Sequence, residues 1–169
     1  MKKTPANREI IVRALHTTQG ENLDVYAFFI RGADIIRIAD ISRISLDEKG
    51  VLQGFQRPEI QSHVKKIVEY LNPGSVLFPN SIILALSPDV RFSASRGTRP
   101  IGDEGLAQSG TLSLPLYEEG KRVAWIVDGQ QRSLALAQAE NKEIAVPVVG
   151  FVSDRLDIQR EQFILVNKA

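Results

Sequence analysis

Val123-Ala124-Trp125-Ile126-Val127-Asp128-Gly129-Gln130-Gln131-Arg132-Ser133-Leu134-Ala135-Leu136 changes character twice within a short span. Val123 to Val127 carries the branched and aromatic residues of a strand, and Trp125 alternates with Val123 and Val127, which predicts a core role for the indole rather than base stacking. Asp128-Gly129 breaks that pattern. From Gln131 to Glu140 the chain is dominated by Ala, Leu and Gln, all good helix formers. The order is strand, turn, helix, and the remaining elements are read outward from it.

Downstream, Ile144 to Val152 is again strand-like, and Pro147 inside it predicts an edge position or a bulge, because proline cannot donate to a ladder. Arg155 to Ala169 is amphipathic through Leu156, Phe163, Ile164 and Val166. Upstream, Thr111 to Leu116 reads as a strand joined to Val123–Val127 by the polar turn at Glu118-Glu119-Gly120-Lys121, a hairpin by proximity. Ser81 to Leu86 is a short apolar run with the pattern of a buried, mid-sheet strand. Ile60, Val64, Ile67, Val68 and Leu71 fall on one helical face behind Pro58, a residue suited to a first helical turn. Arg8 to His16 and Asp24 to Ile30 flank the polar break Thr17 to Asn22 and predict another hairpin. Ile35 to Ile44 has no clean period and is compatible with either helix or strand. The sum is one mixed α+β domain over residues 1–169, with neither internal repeat nor low-complexity tract.

Composition narrows the chemistry. Lys and Arg number 21 against 20 acidic residues, so no strong overall field draws the molecule to DNA or an anionic membrane, and nucleic-acid contact must be local. Cysteine is absent, which removes thiolate nucleophiles, thiolate metal sites and disulfides together and fits a reducing compartment. His16 and His63 are the only histidines, too few for a histidine-based metal site; His63 reads as a helix-surface residue. No signal-peptide pattern or bilayer-spanning segment is present, which leads to the expectation of a cytoplasmic protein with no membrane partner. The last residues still read as helix without a stop signal, as in the N-terminal part of a longer protein.

The Asp128–Arg132 turn can do phosphate chemistry. Gly129 allows close backbone approach, and the N–H groups opening the next helix form an anion position with the positive end of the helix dipole behind it. Arg132 can give paired hydrogen bonds to phosphate, while Asp128 could orient water, hold Mg²⁺ or bind a ribose hydroxyl; Gln130 and Gln131 add neutral donors and acceptors. Taken alone, an Asp-Gly turn is more often a plain helix cap with a solvated arginine behind it. It is neither a Walker loop nor a dinucleotide fingerprint.

The turn, followed by Leu134 and Leu136, resembles the signature of the DGQHR-domain family, which includes the DndB and DpdB types of DNA-modification protein. With Gln131 at the histidine position it is similar to the DGQQR variant of NTP-hydrolysing restriction subunits, and more distantly to the ParB and sulfiredoxin fold. Gly54-Phe55-Gln56-Arg57-Pro58 resembles the aromatic-Gln-Arg-Pro segment of the same groups, and Phe78 to Leu86 and Phe163 to Asn167 resemble further segments. The resemblance implies a ParB/sulfiredoxin-like sheet with flanking helices and a component of a phosphorothioation or deazaguanine modification system. It implies a nucleotide pocket for ATP or another NTP, with Mg²⁺ or an attacking water near Asp128. In that pocket Asp128, Gln130 and Gln131 are catalytic, and Gln56, Arg57, Gly129 and Arg132 bind phosphate. DNA, proteins of the same operon and an oligomeric state are the implied partners. The alternative in a different class is a non-catalytic DNA-binding regulator; a nuclease finds few clustered carboxylates for two metals.

Arg91, Arg96 and Arg99 lie in a polar stretch from Arg91 to Gly110, far longer than the ~4 to 6 residues of an ordinary connection. They read as a DNA-following arginine loop or as a solvated mobile loop, with Asp103 and Glu104 partly cancelling the charge. Lys65 and Lys66 read as the wet face of their helix.

Overall fold

The computed structural model describes residues 8–41, 58–118 and 120–167. It is an α+β protein built on one mixed, eight-stranded sheet. Strands β1 (Glu9–Gln19) and β2 (Leu23–Arg31) form the expected hairpin, closed at Gln19 opposite Leu23. Gly20 and Asn22, both at positive φ, supply the left-handed turns that a three-residue loop needs. Alternation fixes the faces of β2: Tyr26, Phe28 and Ile30 are buried while Ala27, Phe29 and Arg31 are exposed.

The segment of ambiguous period holds both structures in its described part. A short helix α1 (Ile35–Ile38) buries Ile35 and Ile38, and a two-residue strand β3 (Ala39–Asp40) follows. Helix α2 (Pro58–Leu71) begins at the proline, buries Val64 and Leu71, and packs Ile60, Ile67 and Val68 against the core. Lys65 and Lys66 are exposed, as expected. The remaining elements are β4 (Ile82–Leu86), β5 (Arg91–Ala94), β6 (Gln108–Pro115), β7 (Ala124–Asp128), α3 (Gln130–Gln138), β8 (Ala145–Val152) and α4 (Leu156–Asn167). The sheet order is β3-β7-β4-β8-β2-β1-β6-β5, with β3–β7 and β4–β8 parallel and the other pairs antiparallel.

Three expectations are corrected. The strands expected as Thr111–Leu116 and Val123–Val127 do not form a hairpin: β6 pairs with β1 and β5, while β7 lies between β3 and β4. The edges of β1 explain it. β2 takes one edge, from Ala14 to Gln19, and β6 takes the other, from Glu9 to His16, so long-range pairing overrides sequence adjacency. The hairpin partner of β6 is β5, so the expected long loop begins as a strand and narrows to residues 95–107; Arg91 is a strand residue. Pro147 sits inside the sheet, not at its edge, with β2 on one side and β4 on the other. The β4 ladder starts only at Val148 opposite Ile82, so the residue without an N–H stands outside one of its two ladders.

The core gathers Ile82, Leu84 and Leu86 of the expected mid-sheet strand with Leu112, Leu114, Ile126 and Leu136. Helix α3 sits between α2 and the turn at Gly32. A Cβ on Gly32 would lie 2.5 Å from Leu136 Cδ2, so the glycine is what lets Leu136 reach the core. Helix α4 runs along β7, and Asn167 Nδ2 donates to Val127 O at 3.3 Å. Trp125 is half-buried, in register with Ala85 and Asp40, so its expected core role is only partly met.

Candidate functional site

The strand-turn-helix unit forms where its residues require it. β7 delivers Asp128 at its last position, and Gly129 turns the chain at φ 96°, ψ 26°, a conformation that side chains disfavour. A Cβ there would also stand 2.5 Å from Ile82 Cδ1 and 3.2 Å from Arg132 Nη2. The first backbone bond of α3 runs from Ser133 N–H to Gly129 O at 2.8 Å, and no side chain caps the helix. The N–H groups of Gln130, Gln131 and Arg132 therefore face the opening of the helix without a partner inside it.

The side chains of the turn grip the fold. Arg132 Nη1 donates to Asn80 O at 3.0 Å and Ser81 O at 3.3 Å; Nη2 donates to Ser81 O and to Asp128 Oδ2, at 3.3 and 3.2 Å. Its guanidinium carbon lies 5.9 Å from the Phe78 ring centroid. Arg132 thus ties the approach to β4 to the start of α3 and balances Asp128, both groups being less than one-third exposed. Gln130 Nε2 reaches back to Val127 O at 3.1 Å and Ile126 O at 3.3 Å. Gln131 points the other way, its Oε1 bonded to Nδ1 of His63 on α2. Ser133 is fully buried, and its hydroxyl has no hydrogen-bond partner among the described residues.

The structure therefore brings together Asp128, Gly129, Gln130, Gln131 and Arg132 and adds Phe78, Asn80, Ser81 and His63. Asn80 and Ser81 lie in the segment Phe78 to Leu86 that carried part of the family resemblance, yet nothing there assigned them to the turn, because what they contribute is backbone carbonyl oxygen. His63 is the surface residue expected, exposed on α2, yet it is bonded to the turn. Gln56 and Arg57 lie outside the described residues. Arg91, Arg96 and Arg99 are remote from the turn, at the β5 edge and the 95–107 connection; all three are exposed and none is ion-paired among the described residues. Arg91 lines a cleft of about 410 Å³ with Arg8, Glu9, Asp89, Ser113 and Tyr117. There the Tyr117 hydroxyl donates to Asp89 at 2.9 Å, and burial first, then Asp89, raises its pKa.

A single carboxylate with one oxygen turned to Arg132 is a modest metal ligand. Mg²⁺ is commonly bound through one or two carboxylates plus substrate phosphates, so the donor set fits that ion only together with a nucleotide. Among the described residues no group of three or more His, Asp and Glu could hold a metal alone. No helix among them is long and apolar enough to cross a membrane.

An α+β protein whose sheet ends in an Asp-Gly turn at an uncapped helix is the class that fold and site define. The chain belongs to the DndB family, described as DNA-sulfur modification-associated, which it matches over residues 13–169. That places it with DNA sulfur modification and leaves the deazaguanine branch of the resemblance without support. Comparison with curated proteins and with solved structures returned no match.

Proposed function

We propose that this chain serves a DNA sulfur modification system by binding and hydrolysing a nucleoside triphosphate, ATP in the first instance, at the Asp128–Arg132 turn. The observation that carries the reading is the opening of α3. Gly129 in the left-handed conformation presents the N–H groups of Gln130, Gln131 and Arg132 with no side chain capping them, an arrangement suited to phosphate. Arg132 keeps its positive charge beside that position while its hydrogen bonds hold the turn in shape. Asp128 would hold Mg²⁺ together with phosphate oxygens, and the ion would supply charge neutralisation; catalysis is then mainly positioning and electrostatics. A contribution from Gln56 and Arg57 to the same pocket rests on the family resemblance of the segment that carries them.

The reading is tested by phosphate release from ATP and other NTPs with Mg²⁺. Asp128→Ala is expected to lower turnover at least 100-fold while DNA retention is unchanged; release that survives the substitution unaltered moves the site elsewhere. A second reading, a non-catalytic DNA-binding regulator, is favoured by one observation: Arg91, Arg96 and Arg99 are exposed without ion-pair partners among the described residues. It becomes the better account if no NTP yields phosphate and DNA retention depends on those arginines.

A further inference from the structure

Within the turn, almost every polar side chain is already engaged with the protein. Gln130 is folded back on β7, Arg132 is spread over Asn80, Ser81 and Asp128, and one Asp128 oxygen accepts from Arg132. Gln131 instead reaches helix α2, and what it meets there is an imidazole. With Gln131 Oε1 as the acceptor, His63 Nδ1 is the donor, and a neutral ring of that tautomer keeps a lone pair on Nε2. Gln131 is the second residue of α3, so its bond ties this imidazole to the first turn of that helix.

We propose that His63 is the proton acceptor of this site, set in its working tautomer by Gln131. The proposal rests on the reading of the turn as a hydrolytic site and deepens it. Water attacks the γ-phosphorus, and the proton it loses passes to His63 Nε2. The bond from the γ-phosphorus to the β–γ bridging oxygen breaks, its electron pair leaving with the nucleoside diphosphate, and the imidazolium returns its proton to solvent. Among the described residues, the charged groups about the ring are Glu59 and Lys66, one turn to either side on α2; from α3 it meets the uncharged Gln131, while Arg132 is turned toward Asn80 and Ser81.

The test separates the imidazole's chemistry from its hydrogen bond. His63→Asn keeps an N–H donor close to the Nδ1 position but has no basic nitrogen. It is expected to leave the thermal midpoint and KM for ATP near wild type, to lower kcat about 100-fold or more, and to remove the ascending imidazole limb from the pH profile of kcat. His63→Ala is expected to regain turnover on addition of free imidazole. If His63→Asn turns over within about threefold of wild type with the same pH profile, while Asp128→Ala is inactive, the role of His63 is overturned and the hydrolytic site stands. If the wild-type protein releases phosphate from no NTP, the hydrolytic reading fails and this proposal with it.

Discussion

The two ends of the sheet handle arginine in opposite ways. At the β7–α3 end, Arg132 is half-sheltered and commits its hydrogen bonds to Asn80 O, Ser81 O and Asp128. At the β5–β6 end, Arg91, Arg96 and Arg99 stand exposed, with no ion-pair partner among the described residues. A guanidinium tied to backbone carbonyls builds a site, because removing it leaves the partly buried Ser81 O and Asp128 Oδ2 without their donor. One in solvent adds nothing to stability and is available to a polyanion. The same residue type is thus architecture at one end and a candidate contact at the other.

The sharpest break in that contrast would come at Gly129. Gly129→Ala forces a Cβ onto a left-handed residue and against the buried Ile82 side chain, and is expected to lower unfolding free energy by about 2 to 3 kcal/mol in urea titration. A loss below about 0.5 kcal/mol would mean that the turn is not held as described. Arg132→Ala should follow, at about 1 to 2 kcal/mol, from the carbonyls and carboxylate left behind. Arg132→Lys should recover less than half, since one ammonium cannot span the acceptors that a planar fork reaches. Full recovery by lysine would make charge, not geometry, the role of the residue.

The smallest effect on stability is expected at the other end. Replacing Arg91, Arg96 and Arg99 together by Ala should move unfolding free energy by no more than about 0.5 kcal/mol. If these arginines meet DNA, the same variant flattens the slope of log affinity against log salt by roughly 0.9 for each phosphate that is no longer neutralised. An unchanged slope would reduce them to solvated surface, and the contrast between the two ends would then concern stability alone.

Much of the local structure was legible in the chain. Val123 to Gln138 announced strand, turn and helix by composition, and the glycine in the middle does adopt the left-handed conformation that made it worth reading. The β1–β2 hairpin and α2 followed from a polar break and a helical stripe. Of the site, the turn itself was visible as a motif. The part that Asn80 and Ser81 play was not, although their segment carried family resemblance, because a backbone carbonyl has no sequence signature; nor was that of His63, because nothing in its own helix tells where Gln131 will be.

What the sequence determined by itself was therefore local: which stretches extend or coil, and where glycine must bend the chain, since these follow from side-chain shape, solvation and backbone sterics over a few residues. Only the tertiary structure decided that β6 joins β1 instead of β7, that Pro147 lies inside the sheet, and that Arg132 faces inward. Those outcomes depend on which distant strand leaves hydrogen-bonding groups unpaired and which carbonyls a folded sheet brings within reach of a guanidinium.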